Sequence, residues 1–339
     1  MATIGNTALT LTDWAKRIDP SGEGISPVVE LLNQSNEILM DMPWIEGNLP
    51  TGHRTTVRTG LPSVAWRKLN YGVPQSKSTT VTVDDACGML EAFCQVDKDL
   101  AELNGTTAAF RLSESVAFIE SMNQSMAQTL IYGDSEQNPE RFLGLAPRYS
   151  TISGAVNGQN ILSAGTVTGG DGTSIWLVGW GEGTVHGIFP KGSQAGLIHT
   201  DLGLDVITDA AGGKYRAYQD HYQWKCGVAL RDWRYVARLC NIDVSALIAD
   251  TAGTTVRIIE GMSRLIDRIP MFGNCRPVFY MNRTVFSMLR VHALNRSSNA
   301  LSLEQAMDQF GNPIRGGLSF MGIPIRRVDA ILSNEAQIS

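Results

Sequence analysis

The sequence predicts an α+β protein with a projecting N-terminal part and a mixed C-terminal part. Three observations carry that prediction. An apolar stripe of helical period runs through 106–132, at Leu112, Val116, Ile119, Met122, Met126 and Leu130. Residues 51–83 alternate in short runs punctuated by Gly60, Pro62, Gly72 and Pro74, as a long two-stranded excursion would. Beyond these, strand-like and helical runs are mixed and show no fixed repeat.

In chain order, 1–50 reads as an extended arm carrying short helices. LTDWAKRI gives about two turns capped by Thr12 or Asp13. PVVELLNQSNEILM places Pro27 in a first turn behind Ser26 as N-cap, with Val28, Leu31, Leu32, Ile38 and Leu39 on one stripe. The excursion at 51–83 holds Arg54, Arg58, Arg67, Lys68 and Lys77 and no acidic residue. The next stretch, 84–103, reverses the sign: Asp84, Asp85, Glu91, Asp97, Asp99 and Glu102 face a lone Lys98. Its apolar positions Leu90, Phe93, Val96, Leu100 and Leu103 fit a second helical stripe.

The helix at 106–132 starts after Asn104-Gly105, stops at Gly133 and would be roughly 40 Å long, long for a compact domain. A joint follows at 141–150, RFLGLAPRYS, in which Phe142 and Leu145 suit anchors and Gly144 and Pro147 shape a turn. Residues 150–225 are β-rich, with TSIWLVGWG a buried strand and HGIFP, LDVITD and 215–228 further strands. The C-terminal part gives a helix at 254–269 with Val256, Ile259, Met262, Leu265, Ile266 and Ile269 inward. A strand at 276–282, a helix at 284–294 and a strand at 322–332 complete it.

Composition narrows the function. Of 339 residues, 43% are hydrophobic, so a packed core is expected, while only 18% are charged, below the usual quarter. Such a surface suits cover by other chains. The net charge of −5 argues against a protein that coats nucleic acid, which needs a basic footprint. No apolar run is long enough to span a membrane, and the N-terminus is not a secretory signal. Five cysteines without a C-x-x-C read as reduced, buried thiols.

Chemistry is hard to find. The five histidines are scattered singly and no metal-ligand spacing occurs, so each reads as structural or surface. Gly192-Ser193-Gln194-Ala195-Gly196 is not a nucleophile elbow. GWGEGTVHG at 179–187 fails G-x-G-x-x-G in both frames, because Thr184 or His186 replaces the last glycine. No catalytic residue, cofactor or metal is expected. The basic excursion beside an acidic stretch points to pairing between subunits, with Arg54, Arg58, Arg67, Lys68, Lys77, Asp84, Asp85, Glu91, Arg141 and Arg148 as interface candidates.

Four stretches carry a resemblance: MPWIEGNLPTGHRTTVRTGLPSVAWRKLNYGV, NPERFLGLAPRYS, WKCGVALRDWRYVARLCNID and IPIRRVDAIL. Together they resemble the major capsid proteins of tailed bacteriophages, more narrowly of podovirus-type phages, from about Trp14 to the C-terminus. The resemblance implies the fold shared by tailed-phage and herpesvirus capsid floors. It assigns 1–50 to the N-terminal arm, 51–83 to the extended β-loop, 84–145 and 231–339 to a peripheral domain with the spine helix at 106–132, and 146–230 to an axial domain. It implies self-assembly into pentamers and hexamers of an icosahedral head around double-stranded DNA, held without sequence-specific binding. A precursor shell would form first, with a portal protein at one vertex, and expand on maturation; a cementing protein outside is left open. With no long segment ahead of the arm, scaffolding protein is expected to be separate. The site of assembly would be the bacterial cytoplasm and the destination the virion. Lys68 and Lys77 lie in the loop, but no motif fixes an Asn and acid partner, so no covalent cross-link is expected. The alternative is another virion or surface binding module with a ligand region at 150–225.

Overall fold

In the computed structural model the described residues are 9–11, 13, 16, 32–105, 107–209, 211–249, 253–295, 301–302 and 318–339. The elements run α1 Ile38–Asp41, β1 Trp44–Glu46, β2 Gly52–Gly60, β3 Thr79–Ala86, β4 Gly88–Asp97, α2 Lys98–Ala101, α3 Thr107–Tyr132 and α4 Leu145–Arg148. Then follow β5 Ile161–Ser163, β6 Gly172–Trp180, β7 Val185–Phe189, β8 Leu197–Thr208, β9 Lys214–Leu230, β10 Val236–Asp243, α5 Val244–Ile248 and α6 Thr254–Ile266. The chain closes with β11 Arg276–Met281, α7 Arg283–Asn295, β12 Leu301–Ser302, β13 Leu318–Phe320 and β14 Ile323–Arg327. Packing divides it into two units, one of 1–35, 89–127 and 196–225 and one of 36–88, 128–195 and 226–339.

In the first unit, β8 and β9 form a long antiparallel hairpin from Leu197 opposite Trp224 to Thr208 opposite Lys214, with an irregularity between Asp201 and Gly203. Its core gathers Cys94, Val96, Leu100, Phe110, Met122 and Tyr222, with Leu9 packed against them. Arg111 of α3 ties the helix to the hairpin through Asp220 at 2.9 Å and Asp201 at 2.8 Å.

Two expectations change here. The stretch 84–103 is not a helix but strands β3 and β4, followed by the single turn α2. In β4 the side chains of Cys94 and Val96 point inward while Met89, Glu91, Phe93 and Gln95 point outward, a period of two that wins over the i, i+3 coincidence of Leu90, Phe93 and Val96. In α3 the predicted stripe buries Met122, Met126 and Leu130, but Leu112, Val116 and Ile119 are exposed; in the first half Phe110 turns inward instead.

The arm reading also changes. Thr10 exchanges hydrogen bonds with the Asp13 carboxylate and amide, while Thr12 and most of the helix expected at 11–18 lie outside the described residues. Of the helix expected at 27–40, residues 27–31 lie outside the described residues, 32–37 are not helical, and helix remains only at α1.

The second unit is built on β6, buried along its whole length because SIWLVGW is an unbroken apolar run that suits a strand covered on both faces. β11 and β10 flank it antiparallel, β14 joins β11 in parallel, and β5 joins β10 in parallel. β6 comes from 146–230 and β10 and β11 from 231–339, so one sheet unites stretches that the sequence reading placed in different domains. Burying Ile175, Trp176, Leu177 and Val178 contributes about 1.5–3 kcal/mol each. Helix α6 buries Met262 and Leu265, and Ile269 beyond it, as expected, but its other inward positions are Thr255, Ile258 and Gly261 while Val256, Ile259 and Ile266 are half-buried, a small rotation of the face. Gly261 sets that rotation: a Cβ there would lie 2.8 Å from both methyls of Leu239 on β10.

The five cysteines are free, and burial pushes the Cys87 and Cys240 thiols up to about 11, which keeps them protonated and unreactive.

The C-terminal tail is fixed by a buried charge. Arg238 of β10, lying 4.7 Å over the Trp176 ring, meets Glu335 at 2.8 Å and donates to the Tyr149 carbonyl at 2.9 Å. Glu335 also accepts from the hydroxyls of Tyr132 and Ser174. Asn241 holds both the amide and the carbonyl of Ile338 at 2.8 Å. Glu335→Ala leaves the buried guanidinium without its counter-ion, and the expected loss is about 3–5 kcal/mol in urea unfolding of the unassembled subunit.

Candidate assembly surfaces

The long excursion is the hairpin of β2 and β3, with Gly52 opposite Ala86 and Gly60 opposite Thr79. Between them, 61–78 forms no strand or helix, and the sequence supplies a reason: Pro62 and Pro74 remove ladder donors. Its apolar side chains have no cover. Trp66, Val64, Leu69 and Leu61 are each more than 80% exposed, where a stable fold would bury them. These side chains form an exposed apolar patch.

Cations surround it. Arg58, Lys68, Lys77 and, beyond the hairpin, Arg141 form no ion pair among the described residues, and Arg67 donates only to the Tyr71 carbonyl at 3.1 Å. Arg54 is different: it spans the hairpin to Asp84 with two bonds of 2.6 Å. Those bonds hold the Asp84 carboxyl below its ordinary range. Both side chains are more than half exposed, so the pair adds little to stability.

Asp85 and Arg148, expected at a subunit interface, are instead buried against each other. Arg148 Nη2 lies 2.6 Å from Asp85 Oδ1, with exposures of 11% and 2%. Asp85 Oδ2 accepts from the Leu230 amide at 3.1 Å, and Arg148 also donates to the carbonyls of Gly144 and Leu143. The joint at 141–150 makes this possible. Gly144 lies so close to the last turn of α3 that a Cβ would sit 2.6 Å from the Thr129 carbonyl oxygen, and its amide donates to Gly133 at 2.7 Å. Phe142, Leu145 and Tyr149 are buried around it. The pair therefore locks the base of the hairpin to the end of the long helix.

Glu91 remains on the outward face of β4, bonded to the Gln223 side chain and 3.5 Å from His221; the Gln223 bond holds its carboxyl below the usual range. Met89 and Phe93 flank it, and they too are exposed. Under the hairpin a groove of about 1080 Å³ is lined by Arg58, Arg148, Arg231 and Arg234, with Asp232 already taken by Arg234 at 2.7 Å. Sequence reasoning missed Arg231, His53 and His186 at this base, because their proximity depends on tertiary packing and not on spacing.

A family model, major capsid protein GP7, matches residues 19–339. The chain belongs to that family. The capsid protein is similar to a chain of bacteriophage Epsilon15, with 35% identity over 100% of this chain and 99% of the other and a TM-score of 0.74. The bacteriophage JBD30 capsid shares the fold at 8% identity, covering 88% of this chain and 92% of the other, with a TM-score of 0.50. No curated relative matches. The capsid protein thus has the phage capsid fold expected from the sequence, and its destination is the virion shell it forms with copies of itself. The family is one of structural proteins, not enzymes.

The two ion pairs should behave oppositely. Arg148→Ala strands a buried carboxylate and is expected to cost about 3–5 kcal/mol in chemical denaturation. Arg54→Ala is expected to stay within about 1 kcal/mol of wild type.

Proposed function

We propose that this capsid protein builds the pentamers and hexamers of an icosahedral head that encloses double-stranded DNA, through a precursor shell that expands on maturation. The observation that supports it is the exposed tip of the extended hairpin: an apolar, cationic surface that a lone subunit would have no reason to keep in water. On this reading 1–50 is the arm, 51–83 the extended loop, 84–145 and 231–339 the peripheral domain with its spine helix at 106–132, and 146–230 the axial domain. The cations Arg58, Arg67, Lys68 and Lys77 would meet Glu91 on the outward face of β4 of a second copy, where Met89 and Phe93 offer apolar cover. Arg141 would be a further contact. Head-to-tail contacts of this kind close into rings when the rotation per copy fits. A separate scaffolding protein and a portal protein at one vertex would be its assembly partners, and the DNA would be enclosed without sequence-specific contacts.

The experiment is charge reversal. The double variant Arg58→Glu, Arg67→Glu is expected to fold but to assemble slowly or into aberrant particles, seen by light scattering and electron microscopy. Raising the salt should slow wild-type assembly by screening the same attraction. Normal assembly of the double variant would sink the pairing.

A further inference from the structure

Two histidines at the base of the hairpin are used by nothing described so far. His53, the second residue of β2, stands opposite Asp85 in the hairpin register and is 5% exposed. His186 of β7 is 0% exposed. The rings meet edge to face with centroids 5.7 Å apart. Arg231 Nη2 lies 3.0 Å from His53 Nε2. A guanidinium can only donate, so Nε2 accepts, and His53 is neutral with its proton on Nδ1. That Nδ1 has no hydrogen-bond partner among the described residues. The ring nitrogens of His186 make no hydrogen bond of ordinary geometry, although the Gly181 backbone faces the ring.

The charged groups around the two rings are few. Arg231 faces both, and Asp85 faces His53. The Asp85 carboxylate is already committed to Arg148 and the Leu230 amide. A proton on His53 would remove the acceptor that Arg231 uses and set two cations in contact. A proton on His186 would bury a charge with no counter-ion.

We propose that His53 and His186 form a protonation latch: neutral, they hold the base of the extended hairpin against β7, and on taking up protons they release it. Burial and the Arg231 charge keep both rings below the ordinary histidine range, His186 down to about 4. Once released into water each ring returns to about 6.5. Below that value the released state binds more protons than the latched one, so the latch is full above pH 6.5 and weakens as pH falls toward 4. The hairpin could thus be freed while the β6 sheet stays folded.

Amide hydrogen exchange on the full-length unassembled subunit tests this, read as protection factors for 52–60 and 79–86 with 172–180 as the internal reference. Between pH 7 and pH 4.5 the hairpin strands are expected to lose roughly fifty-fold in protection from His186 alone, with β6 unchanged. His186→Phe keeps a buried ring that cannot take a proton, and His53→Gln keeps an acceptor for Arg231; each should flatten the pH dependence. Equal loss in hairpin and β6, full hairpin protection at pH 4.5, or an unchanged pH profile in both variants would overturn the latch. Should neither variant fold, the wild-type comparison of hairpin with β6 still decides.

Discussion

A buried charge can persist in a protein only if something answers it, and Asp85 and Arg148 answer each other at the point where the projecting hairpin begins. Much of the second unit is arranged around that requirement. Gly144 allows the chain to pass tightly beneath the end of α3, which brings Arg148 to the hairpin; Phe142, Leu145 and Tyr149 exclude water from the pair. The Leu230 amide takes the remaining carboxylate oxygen and so draws in the end of β9. The hairpin is therefore tied at its root to the rest of the second unit, while the hydrogen bonds of its tip stay within the tip, the distribution that would suit the proposed reach to another subunit.

The chain segregates its polar interactions accordingly. Buried pairs such as Arg238 with Glu335 and Arg148 with Asp85 fix one conformation of the subunit. Exposed groups such as Arg58, Lys68 and Lys77 contribute little to the folded monomer; in the proposed contact with other copies they would speed association more than they deepen it. Net charge of −5 leaves such a shell without a general attraction for DNA.

Much of this was legible in the sequence, and the exceptions share a cause. The helix at 107–132, the hairpin and the buried strand β6 follow from local period and punctuation, which the chain carries by itself. β4 was misread because Leu90, Phe93 and Val96 fall at helical spacing by coincidence, while the small inward residues Ala92 and Cys94 gave the competing alternation little weight. The exposure of Leu112, Val116 and Ile119 has the same logic: a helical stripe shows that a face is apolar but not whether the same chain covers it. Arg148 read as an outward cation because its partner Asp85 is 63 positions away. The histidines looked isolated for the same reason, since the packing of two separate strands brings His53 to His186.

The central claim is that the tip of the hairpin, held out in water by a locked base, is covered by other subunits in the shell. Hydroxyl-radical footprinting of the tip, compared between free subunits and assembled particles, tests it most directly. The account predicts that Trp66, Leu69 and Tyr71 react fully in the free subunit and are strongly protected in the particle. Equal reactivity of these side chains in both would contradict it.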